Sequence, residues 1–161
     1  MPLDASEMTS RIAEFCSDLD GYPWHPEAEG PVRLGEIVWQ VWMIYSEVYN
    51  GGLWQYFMNS SGQDAPVVSE ALKEIGATQP AVIVQTAMVE LGVEVPWKDD
   101  MARHKIIFDL PKDIRERLWK LDSQFGEYID ELPVQLYNYL LKHRDQFKSA
   151  PDGFWEGAVV Q

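Results

Sequence analysis

An all-α fold, a compact single-domain bundle of about seven or eight helices, is the class this sequence predicts. Three observations carry that expectation. Apolar residues recur at three- to four-residue spacing through most of the chain, helix-opening and helix-closing residues stand at the ends of those stretches, and no stretch shows strand-like alternation of comparable strength. The 161 residues suit one domain, with a core over about 33–147, an acidic helix over 5–19 before it and a short tail over 148–161 after it. Hydrophobic residues at 46% and aromatics at 12% supply a core, which excludes global disorder despite a formal charge of -13.

The first helix has Met8, Ile12, Phe15, Cys16 and Leu19 on one face, with Asp4 and Glu7 placed as a capping box. Asp4, Glu7, Glu14 and Asp18 line its other face, interrupted by Arg11. Residues 20–31 are rich in Gly and Pro and read as a loop. From Arg33 to Tyr49 almost the whole circumference is apolar, with only Arg33, Glu36, Gln40 and Glu47 as a polar stripe, so this helix is central. Asn50-Gly51-Gly52 stops it, because Asn and Gly tolerate the left-handed backbone that closes a helix.

A short amphipathic segment from Leu53 to Asn59 follows, ending in Ser60-Ser61-Gly62. Asp64 and Pro66 open a helix that Gly76 closes, and Thr78 and Pro80 open another that Gly92 closes. Further helices are expected over about Asp99 to Ile107, from Pro111 through Ile114, Leu118, Leu121 and Phe125, and from Pro133 to about Phe147.

Charge narrows the partners. With 26 acidic against 13 basic residues, the surface repels nucleic-acid phosphates and anionic membranes, so direct nucleic-acid binding is disfavoured and basic proteins are favoured. A single cysteine, Cys16, excludes an intramolecular disulfide and a cysteine-built zinc site, and its apolar neighbours make it a buried structural thiol. Charged residues throughout the first 20 positions leave no apolar signal region, and no apolar run is long enough to span a membrane. A cytoplasmic location is the expectation.

The inventory for catalysis is thin, and neither an enzyme nor a cofactor is expected. His25, His104 and His143 are far apart, so no helical metal-binding pair exists, and no metal ligand is assigned. His104 follows Asp100 by four residues, which a surface helical pair explains. Ser60-Ser61-Gly62 lacks the flanking glycines of a nucleophile elbow. The adjacent carboxylates of Asp99-Asp100 and Asp130-Glu131 point in different directions on a helix.

The densest feature runs from Glu47 to Gly62. Seven aromatics (Trp39, Trp42, Tyr45, Tyr49, Trp54, Tyr56 and Phe57) surround or interleave with Glu47, Asn50, Gly51, Gly52, Gln55, Asn59, Ser60, Ser61 and Gly62. Either these polar groups form a network that locks a helix corner, or they aim into an aromatic-walled ligand pocket. Each special residue has a capping or turn role, which favours the network.

The string from Asn50 to Gly62, followed by Ala71-Leu72 and Ile75-Gly76-Ala77, resembles the signature of the bacterial DNA-mimic-protein family, whose shared region is a domain of unknown function. The resemblance is specific over about Glu36 to Ala77 and extends at lower similarity to about Tyr139. Leu53 departs from it, standing where an aromatic is usual. It implies an all-α, acidic, non-enzymatic homodimer that binds a DNA-binding protein in place of DNA.

Helical carboxylates four residues apart rise ~6 Å, against one charge per ~1.7 Å of duplex axis, so stripes on neighbouring elements can approximate a row of phosphates. Residues 1–30 hold one basic and seven acidic groups, almost half the net charge. Asp4, Glu7, Glu14, Asp18, Asp20, Glu27 and Glu29 are therefore the candidate contacts, with plain solvation as the competing account of each. An immunity-type inhibitor of a basic toxin suits the same charge, and a small-ligand protein would use the 47–62 corner.

Overall fold

Residues 3–17, 32–92, 94–146 and 150–159 are described by the computed structural model. Among them are seven α-helices and no strand: α1 (Ala5–Ser17), α2 (Val32–Met58), α3 (Ala65–Glu74), α4 (Thr78–Leu91), α5 (Asp100–Phe108), α6 (Lys112–Gly126) and α7 (Leu132–Lys142). Tight 3-10 turns cover Ser60–Asp64, Ile129–Glu131 and Arg144–Gln146.

The nearly all-apolar α2 is the axis of the bundle. Its Val38, Val41 and Ile44 have essentially no exposure, and α1, α3, α5, α6 and α7 all pack on it. Amphipathic stripes on the other helices complete one core: Ile12 and Phe15 from α1, Val68 and Leu72 from α3, Val84 and Ala87 from α4, Phe125 from α6, and Leu136 and Leu140 from α7. Burying each of these side chains other than Ala87 contributes about 1.5–3 kcal/mol.

The expected boundaries hold where glycine or proline marks them. Gly76 (φ 89°) and Gly92 (φ 94°) end α3 and α4 in a conformation that glycine adopts without strain. Asp4 accepts the Glu7 amide at 2.8 Å and Asp99 accepts the Ala102 amide at 3.0 Å, each capping its helix. The reciprocal half of the capping box is not formed, because the Glu7 carboxylate is 3.0 Å from Arg11 instead. α7 stops at Lys142, short of Phe147, where the His143 amide turns to the carbonyls of Tyr139 and Leu140. Cys16 is buried, and desolvation pushes its thiol up to about 12.

Asp64 departs from its expected role. α3 does begin beside it with Pro66 in the first turn, yet its backbone is helical (φ -89°, ψ 0°) and its carboxylate caps nothing. Burial, then repulsion by Glu36, raises its pKa above the usual 3.8, with Lys98 acting against them. A raised carboxyl pKa supports the fold at low pH and loses that support as pH rises, leaving an unfavourable charge at neutrality. Asp64→Asn should therefore raise the melting temperature at neutral pH, the gain shrinking as pH falls toward 3.8. Thermal melts across that range check the sign.

Candidate functional site

The 47–62 corner is built on a break in α2. Gly51 is extended (φ -162°) and Gly52 takes φ 78° with ψ -178°, a combination open essentially to glycine alone. The helix restarts at once. Its first free amide, that of Leu53, is accepted at 2.7 Å by the Asp122 carboxylate, which reaches over from α6. Any Cβ on Gly52 would lie 2.6–2.8 Å from that carboxylate, so conformation and space both demand glycine. Gly62 is constrained likewise, since its Cβ would meet the carbonyl oxygens of Phe57 and Tyr56 at 2.6 and 2.8 Å.

On the near side of the break, Glu47 gathers the polar side chains. Its carboxylate accepts from Gln55 Nε2 at 2.8 Å and Asn59 Nδ2 at 2.7 Å, with Ser61 Oγ at 3.4 Å. Gly51 makes room for this, because a Cβ there would stand 2.1 Å from Gln55 Oε1. Asn50 and Ser60 are exposed and stand outside the cluster. Tyr56 is fully buried with its hydroxyl unpartnered, and burial together with the charges of Asp64 and Glu47 pushes its pKa well above the usual range.

Behind the corner stands a residue that sequence reasoning missed. Arg103 of α5 has 0% exposure, and its guanidinium donates to the carbonyls of Phe57 at 2.9 Å, Asn59 at 2.8 Å and Trp97, while pairing with Asp100 at 2.6 Å. His104 adds a bond to the Met58 carbonyl. The expected surface pair of His104 with Asp100 is thus replaced, since Asp100 serves Arg103 and the imidazole turns to α2. One signal was available: Arg103 lies four residues before the buried Ile107, on the buried stripe of α5. Chemically, this arrangement satisfies helix ends and leaves neither a nucleophile with its base nor a metal cage. Among the described residues, no group of three or more His, Cys, Asp or Glu could hold a metal ion.

The acidic candidates separate into three sets. Asp4 caps α1, Glu7 pairs with Arg11, and Glu14 is exposed without a partner among the described residues. Asp18, Asp20, Glu27 and Glu29 lie outside the described residues. Arg11, which interrupts the stripe in sequence, turns aside and donates to the carbonyls of Phe154 at 2.7 Å and Glu156 at 2.8 Å. The C-terminal turn, which carries exposed Glu156, is thereby drawn against α1.

A helical chain with this glycine-broken central helix is matched by the family model described as DMP19-like protein, over residues 36–143. The chain belongs to the DMP19-like family. The matched region contains the whole 47–62 corner and the α5 and α6 residues that lock it, and excludes α1 with its acidic stripe. No curated protein and no solved structure matches the chain. In this DMP19-like chain the corner is therefore built from the matched region alone, whereas the α1 carboxylates lie outside it.

Two substitutions test the corner. Gly52→Ala should destabilise the protein by at least about 2 kcal/mol, from backbone strain and a displaced Asp122 cap, as measured by denaturant unfolding. Arg103→Met should cost about 3 kcal/mol or more, because several helix-end carbonyls lose their donor in a dry site. The same melts read this loss, which Asp100→Asn, at a half-exposed position, should not reproduce.

Proposed function

We propose that the protein is a non-enzymatic DNA mimic, which occupies the DNA-binding surface of a basic transcription factor or nucleoid protein. Membership of the DMP19-like family is the observation that carries this reading, and the charge of -13 supports it. Contact falls to the α1 carboxylates Asp4, Glu7 and Glu14, with Asp18, Asp20, Glu27 and Glu29 continuing the acidic run in sequence. Arg11 holds the C-terminal turn that carries exposed Glu156 against this helix. A homodimer would present two such runs to a two-fold symmetric partner.

The corner contributes as scaffold. Its carboxylate and amides are already paired with one another, so little hydrogen-bonding capacity remains there for a ligand.

Affinity capture from a native bacterial lysate, eluted by a salt gradient and then challenged with duplex DNA, tests the proposal. The expected complex weakens steeply with salt and is displaced competitively by DNA. Glu7→Gln and Glu14→Gln should each weaken it about two- to fivefold without changing the melt. A complex that persists while the partner's DNA-binding face is occupied overturns the reading, and capture of a basic toxin instead would assign an immunity-type inhibitor.

A further inference from the structure

The basic residues of this acidic chain are not evenly spread. Residues 101–120 carry six basic and three acidic side chains, a positive block in a molecule of charge -13. Part of that block faces a groove of about 500 Å³ lined by Trp54, Lys112, Arg115, Glu116 and Trp119. The volume falls within the ~300–1,000 Å³ range of small-molecule sites.

The contact that caps the restarted half of α2 builds this groove. The Asp122 carboxylate holds the Leu53 amide at 2.7 Å, which fixes α6 against the start of that segment. Trp54 is the next residue on one side, and Trp119 is one turn before Asp122 on the other. Two indoles are thereby brought to one groove, and Trp119 is left 69% exposed, an unusual burden for so large an apolar ring.

The cations beside them differ. Lys112 stands 3.6 Å from Glu116, whose charge it offsets. Arg117, on the far side of the helix, is held by Glu90 and Asp113. The Arg115 guanidinium has no hydrogen-bond or ion-pair partner among the described residues, despite the excess of carboxylates in the chain. An unpaired guanidinium fork matches a carboxylate in a bidentate fashion, and indole faces favour a flat ring. A singly charged anion suits the groove better than a phosphate dianion, which the net charge of -13 opposes more strongly.

We infer that the Trp54–Trp119 groove is a binding site for a small aromatic carboxylate, the ring held between the indoles and the carboxylate on Arg115. It is independent of the acidic α1 face and of the partner bound there.

2-Naphthoate serves as the probe, with 2-naphthalenemethanol as its uncharged counterpart. Binding is followed by NMR of the Trp54 and Trp119 indole N–H signals, assigned through Trp54→Phe and Trp119→Phe. Saturable shifts confined to these two indoles are expected with 2-naphthoate, and binding about tenfold weaker or more with the alcohol. Arg115→Met should weaken 2-naphthoate about tenfold and leave the alcohol unchanged, while Trp119→Ala should weaken both. Arg115 and Trp119 are exposed, and a retained melting temperature confirms that the variants fold.

Equal affinity for the two probes, indifference to Arg115→Met, or shifts spread over the other indoles would overturn the inference. It would equally fail if protein concentration alone moved the two signals and Trp119→Ala abolished self-association, since a second copy would then cover the groove.

Discussion

Arg103 is the group on which the corner depends. A guanidinium cannot lose its proton in a protein interior, so a fully buried one must be surrounded by acceptors or the fold pays a large desolvation penalty. Here the acceptors are the carbonyls of Phe57, Asn59 and Trp97, together with the Asp100 carboxylate. Two of those carbonyls belong to the end of α2, where a helix leaves its last oxygens without partners. One side chain from α5 therefore answers a need of α2 and has its own need answered in return. His104, adjacent in sequence, takes the Met58 carbonyl between them.

The opposite end of the same short helical segment is held by opposite charge. Asp122 accepts the Leu53 amide where the segment starts, and Arg103 covers the carbonyls where it ends, so a carboxylate and a cation sit at the ends that the helix dipole favours. A segment of six residues is far too short to be stable alone. Anchored at both ends from two other helices, it becomes the joint that fixes α5 and α6 relative to α2. The glycine break is what makes this possible, since an unbroken α2 would offer no free amide to Asp122. Glu47 then closes the corner by binding across the break to Gln55 and Asn59.

Local signals made most of the fold legible. Gly76 and Gly92 as stops, Asp4 as a cap, and the nearly all-apolar circumference of α2 act within one element, and each has its expected structural counterpart. Gly51-Gly52 was legible as an interruption, and Glu47, Gln55 and Asn59 as a polar set. What joins them to the rest was not, because Asp122 lies 69 positions from Leu53 and Arg103 lies 46 from Phe57. Charged residues on amphipathic helices are ordinarily solvated, so nothing local distinguishes Asp122 from Glu116, and the place of Arg103 on the stripe of Ile107 points to burial without naming its partners. Asp64 failed as a cap for a related reason: it closes the 3-10 turn of Ser60–Asp64, which holds its backbone helical where an N-cap is ordinarily extended.

Arg11 brings the acidic surface into the same physical frame. By composition it subtracts one charge from the stripe of α1, yet its guanidinium is directed at the carbonyls of Phe154 and Glu156 and at Glu7. Its charge therefore offsets Glu7 on that face, while its carbonyl contacts draw the C-terminal turn against α1. α1 packs on α7, while α6 with its unpaired Arg115 packs on α2 and α4. The acidic stripe of α1 and the tryptophan groove of α6 are thus supported mainly by different neighbours in the bundle.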